Sequence, residues 1–163
     1  MMQTKTRSNS VELFYYLLEQ LSKSPVVLAI VTATQGGVTT RVGDKLLIWG
    51  DAQSFGNLRE DAVNTAVMTQ SFAVLKTGIA QRMVIDLDAD KNTAGLTQVQ
   101  VWLTRWQGVD AIATAKATLS ALEGPNPSRL IVPLVTGQFP YIINQDSPSL
   151  RNLQGQDAYI EDL

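Results

Sequence analysis

The sequence predicts an α+β domain, a mixed sheet of about five to seven strands flanked by helices. Three observations carry that prediction. The run VVLAIVTAT at 26–34 is apolar and rich in β-branched residues, as a buried strand is. The run TQVQVWLTRW at 97–106 alternates, with Val99, Val101 and Leu103 on one side and Gln98, Gln100 and Thr104 on the other. Apolar residues recur at helical spacing through Ala62, Val63, Ala66, Val67, Ala73 and Val74, and again over 109–122.

Each element follows in order. Residues 1–8 read as a disordered arm. A first helix starts near Asn9, where Asn9 and Glu12 have capping-box spacing, and presents Leu13, Leu17, Leu18 and Leu21 on one face. Ser24-Pro25 ends it. The strand at 26–34 leads into a loop, QGGVTTRVGD at 35–44, and KLLIWG at 45–50 is the second strand. The segment SFGNLREDAV at 54–63 opens the next helix, which Gly78 closes from a C′ position. QRMVIDLDA at 81–89 and the alternating run at 97–106 form an antiparallel hairpin through a turn at 90–95. A helix over 109–122 stops at Gly124-Pro125, and RLIVPLV at 129–135 and PYIINQ at 140–145 are further strands. Pro133 cannot donate to a ladder, which assigns its strand to an edge or a bulge. Helix, turn, strand, loop, strand thus occurs twice, as a helix–strand–strand repeat with a long loop only in the first copy. The domain is expected over 9–145, followed by an acidic tail over 146–163.

Composition limits the chemistry. The chain has 163 residues, is 45% hydrophobic and carries a formal net charge of −2. No basic field exists to attract nucleic acid or an anionic membrane. The longest apolar run, VVLAIV at 26–31, is too short to span a bilayer, and the polar N-terminus lacks a signal-peptide core, so a cytoplasmic location is expected. Cysteine and histidine are both absent. A thiolate nucleophile, a Cys/His zinc site and imidazole acid–base chemistry are therefore excluded, which leaves proton transfer to Asp, Glu, Lys or Tyr and favours a non-enzyme.

Two segments could bind a ligand. In TQGGVTTRVGDK at 34–45, Gly36 and Gly37 permit close approach of backbone amides, Thr39 and Thr40 supply hydroxyls, and Arg41 and Lys45 supply charge. These are the ingredients of a phosphate or carboxylate cradle, and equally of a solvated hairpin loop. Gly56 and Asn57 precede a helix whose first turn holds Glu60 and Asp61, which suits the helix dipole and opposes a bound anion. Asp86, Asp88 and Asp90 read as a solvated strand end, not a metal site.

The loop at 34–45 and the segments around it resemble the N-terminal domain of the XdhC/CoxI family, accessory proteins of molybdenum hydroxylases such as xanthine dehydrogenase. That family carries Thr-x-Gly-Ser-x-Pro-Arg-x-x-Gly-x-Lys between two strands. Here Thr34, Gly36, Gly43 and Lys45 match it without a gap, and the family arginine falls on Thr40 beside Arg41. Gly56, Leu58, Glu60 and Val63 match the next family segment, whose Gly-Gly-Cys is missing here, as is a second glycine-rich segment before the valine-rich strand. The chain thus resembles a degenerate copy. The resemblance implies a protein that binds or delivers molybdenum cofactor to a hydroxylase client, without sulfuration chemistry. Gly36, Gly37, Thr40, Arg41, Gly43, Lys45 and Gly56 would be the cofactor-binding residues. A homodimer, paired through an exposed strand edge, is expected as well. The alternative is an interaction or scaffold module that binds no cofactor.

Overall fold

A computed structural model describes residues 2–88, 96–144 and 157–163. The turn at 90–95 and Asp90 lie outside the described residues. The fold is α+β, and its strands divide between two sheets belonging to two compact units, Ser24–Trp106 and Met1–Lys23 with Gln107–Leu163.

The unit at 24–106 is built on a five-stranded sheet. Its strands are β1 (Val26–Gln35), β2 (Lys45–Trp49), β3 (Gln53–Gly56), β4 (Gln81–Asp86) and β5 (Gln98–Trp106), in the order β3-β2-β1-β5-β4. Every pairing is antiparallel, so this sheet is not mixed. The reason is connectivity. The loops at 36–44 and 50–52 join β1 to β2 and β2 to β3 with no helix between them, and β5 is the next element after β4, whereas parallel neighbours need a crossover. The hairpin of β4 with β5 forms as expected, with Ile85 opposite Val99 and Met83 opposite Val101. Helix α2 (Asp61–Thr77) covers one face. Val63, Val67 and Val74 from the helix join Val27, Ala29, Val31, Leu46, Ile48, Val99, Val101 and Leu103 in one buried cluster. Val26, Leu28, Ile30, Leu47 and Trp106, at the alternate positions, are fully buried too, which is why β1 reads as an unbroken apolar run. Gly78 closes α2 at φ 73°, its N–H on the Val74 carbonyl at 2.8 Å.

The other unit contains α1 (Met2–Leu21), α3 (Gly108–Glu123) and a sheet of β6 (Ser128–Pro133), β7 (Tyr141–Asn144) and β8 (Ala158–Asp162) in the order β7-β6-β8. Helix α1 begins at Met2, ahead of the start expected at Asn9, and takes in residues expected as an arm. Helices α1 and α3 pack together, Leu13, Phe14, Leu17 and Leu21 of α1 and Ala111, Ala115, Leu119 and Leu122 of α3 are buried, and Tyr15 donates to Glu123 at 2.9 Å. Two expectations change here. The end of the acidic tail is a strand, with Ile160 opposite Ile131 and Tyr159 opposite Val132. That pairing makes β6 central. Pro133 is tolerated there because β7 pairs only with Ser128–Ile131, so no ladder bond is required of it on that side. The hairpins of the proposed repeat, β1 with β2 and β6 with β7, are both present, but α1 belongs to the same unit as α3.

Candidate functional site

The two candidate segments, separate in sequence, meet at one end of the five-stranded sheet. The β1–β2 loop is pinned at its base by ladder-like bonds: Val31 N–H to the Asp44 carbonyl and Gly43 N–H to the Val31 carbonyl, both 2.9 Å. Beyond them the loop touches the segment between β3 and α2 through three links. Thr40, only 2% exposed, donates its hydroxyl to the Leu58 carbonyl. Arg59 Nε lies 3.2 Å from Asp44 Oδ2. Thr39 directs both its N–H, at 2.9 Å, and its hydroxyl to Glu60 Oε1.

The segment after β3 holds its shape by local bonds. Asn57 Oδ1 accepts from the Arg59 N–H at 2.7 Å and from the Asn64 side-chain amide at 2.9 Å. Asn64 Oδ1 accepts from the Leu58 N–H at 2.9 Å. These bonds hold Arg59 at φ 72°, a region non-glycine residues rarely occupy, and so turn its guanidinium to Asp44. Leu58 is fully buried in the apolar cluster and anchors the segment.

Glu60 is the N-cap residue of α2, yet its side chain makes no capping bond to its own helix. It reaches across to Thr39 instead. Hydrogen bonding to the Thr39 hydroxyl, and then to the Thr39 amide, holds the Glu60 carboxyl below its ordinary range. The acceptor that the Thr39 donors hold is thus the chain's own carboxylate. Read from the sequence, Glu60 is a charge that suits the helix dipole and opposes a bound anion, not a partner of Thr39. Glutamate is not among the preferred N-cap residues, and here its side chain makes no cap bond.

The predicted site residues fall into distinct environments. Gly36, at φ 84°, is pressed against the Leu96 carbonyl and Thr97, so it serves chain packing. Gly37 faces open space. Thr40 is buried on Leu58. Arg41 is exposed, and its N–H bonds Asp44 Oδ2 at 2.9 Å. Gly43, at φ 95°, offers its carbonyl to Lys45 Nζ at 3.0 Å, and Lys45 is 8% exposed. Gly56 is the last residue of β3, at φ 109°, where a Cβ would meet the Lys45 carbonyl oxygen at 2.5 Å. Arg41 and Gly37 therefore face solvent, whereas Gly36, Thr40, Gly43, Lys45 and Gly56 are taken up by the scaffold. Among the described residues, no group of three or more His, Cys, Asp or Glu is arranged to hold a metal, and no helix is long and apolar enough to cross a membrane.

Residues 20–87, which include both segments, match the model of the XdhC and CoxI family. No curated protein matches the chain. Among solved structures, the chain is similar to one described as a xanthine dehydrogenase from Bacillus halodurans, at 16% identity and a TM-score of 0.73. The alignment covers 94% of this chain and 52% of that one, so this chain spans about half its length. At that identity the likeness is one of fold.

Proposed function

We propose that this protein, whose residues 20–87 match the model of the XdhC and CoxI family, is an accessory factor in the maturation of a molybdenum hydroxylase. It holds molybdenum cofactor, or the client enzyme, at the loop between β1 and β2. The observation that carries this reading is that the family segment contains both loops and that the geometry joins them into one exposed feature. Without cysteine in these 163 residues, the chain has no thiol to carry sulfur, so its part is binding.

The donor set fits a single phosphate group rather than an enclosing cradle. Arg41 would supply the charge and the fork of donors that suits a phosphate edge. The backbone at Gly37 is open to approach, and the Thr39 amide and hydroxyl would add donors when free of Glu60. Lys45 stays with the scaffold on the Gly43 carbonyl. The cofactor, when bound, supplies a phosphate-bearing pterin and the metal; this chain binds and orients it.

A second reading has its own support. The Glu60 carboxylate already sits on the Thr39 donors, which favours an interaction module without cofactor, as a homodimer through one of the sheet edges, β3 or β4. Both readings place the protein in the cytoplasm.

An anaerobic melting titration separates them, with molybdenum cofactor freshly released from a hydroxylase and with ATP and GTP as controls. Ligand at a hundred times its dissociation constant stabilises a fold by about 2.7 kcal/mol. In a chain of this size that raises the melting temperature by roughly 5–10 °C. The accessory reading expects this rise with cofactor alone, and its loss in Arg41→Ala. No rise at saturation refutes cofactor binding, and sedimentation analysis then tests the homodimer.

A further inference from the structure

We propose that the Thr39 amide and hydroxyl form a seat for a phosphate-class oxyanion, and that Glu60 is a built-in competitor that keeps the seat closed. The inference rests on reading the β1–β2 loop as ligand-facing, and it adds a control to that site. Three observations carry it. The N–H and hydroxyl of one residue converge on a single carboxylate oxygen of Glu60, and a phosphate oxygen is an equivalent acceptor for that pair. The contact is exposed and spans 21 residues of sequence, and water and dissolved anions compete directly for exposed bonds of this kind. Glu60 gives up the capping position of its own helix to make it.

The surroundings suit an exchange of anions. Gly37, two residues before Thr39, has open space where a Cβ would stand, and the exposed Arg41 lies two residues after Thr39. Asp44 is engaged by Arg59 Nε and by the Arg41 N–H, so it is balanced without Glu60. An incoming oxyanion takes the place of one carboxylate and leaves Thr40–Leu58 and Asp44–Arg59 to hold the two loops together.

The test uses inorganic phosphate and the Thr39 amide resonance in nitrogen-15-labelled full-length chain. Glu60→Ala is expected to bind phosphate about tenfold more tightly than wild type, with the Thr39 amide among the resonances that move most; tenfold corresponds to about 1.4 kcal/mol. Glu60→Gln keeps an acceptor oxygen and loses the charge, so its affinity is expected between the two. Glu60→Ala combined with Arg41→Ala is expected to return to the wild-type level. Equal phosphate affinity in wild type and Glu60→Ala overturns the proposal, as does binding that leaves the Thr39 amide unmoved. If Glu60→Ala fails to fold, Glu60→Gln against wild type decides by the same criteria. Because the probe is phosphate and the readout is one amide, the result stands apart from any cofactor titration: a failed cofactor melt with a Glu60-dependent phosphate shift refutes the cofactor reading alone.

Discussion

Gly36 and Gly37 are adjacent and identical in type, yet the structure gives them opposite tolerances. At Gly36 the backbone has φ 84°, and an added Cβ would lie 2.5 Å from the Leu96 carbonyl oxygen, 2.9 Å from Thr97 Oγ1 and 3.1 Å from Thr97 Cα. An L-residue in left-handed backbone costs roughly 1–2 kcal/mol. Two of the three clashing atoms belong to backbone, and relieving such overpacking adds about 1–2 kcal/mol. Gly36→Ala is therefore expected to cost about 2–4 kcal/mol, a fall of roughly 4–15 °C in melting temperature for a chain of this length. At Gly37 the Cβ would meet nothing within 4 Å, and its φ is not positive. Gly37→Ala is expected to be neutral, or stabilising by up to about 1 kcal/mol through a less flexible unfolded chain. Thermal and urea melts of the two variants beside wild type read the difference. If both glycines served only as close-approach positions for a ligand, both variants would melt like wild type and fail in binding. A Gly36→Ala melt within a degree or so of wild type, or equal destabilisation by both changes, refutes the packing argument.

Further expectations concern the same end of the sheet. Thr40→Val removes a buried hydroxyl bonded to the Leu58 carbonyl and strands that acceptor, so a loss of about 1–3 kcal/mol is expected in urea melts. Arg41→Ala is expected to leave the melting temperature of the free protein unchanged, because the guanidinium is exposed, while weakening phosphate binding in Glu60→Ala. Glu60 has a depressed carboxyl pKa in the folded chain, so its contribution to stability is fully present above its unfolded pKa. That contribution is lost as pH falls through the folded value, and wild type and Glu60→Gln are expected to converge in stability only at acid pH. Tyr15 behaves in the opposite sense. Its phenol is raised by the hydrogen bond to Glu123, so what it contributes is present below its unfolded pKa and lost as pH rises through the folded one. Tyr15→Phe should match wild type more closely at strongly alkaline pH.

The sequence by itself determined the α+β class, most of the strands and helices, and the chemistry the chain cannot do. These follow from local information. The unbroken run at 26–34 reports burial on both faces of β1 over 26–31. The alternation at 97–106 reports burial only as far as Val101, because Trp102, Leu103 and Thr104 are buried in succession where both faces of β5 are covered. Gly78 marks a helix end because its conformation is costly to other residues. The absence of cysteine and histidine removes whole reaction classes wherever the residues lie. The loop at 35–44 was also recognisable by its donor-rich character.

Tertiary structure decided what that character is used for. Thr39 and Glu60 meet only because β2 and β3 fold back beside β1, and no local pattern encodes a bond across 21 positions. Gly36 is constrained by Leu96 and Thr97, which follow it in sequence only after one helix and three strands. The tail strand β8 has too little alternation to be recognised alone; it is a strand because β6 offers it an edge. Side-chain periodicity tells which face of an element is buried, whereas sheet order and register determine which residues become neighbours, and those arise from the packing of the whole unit.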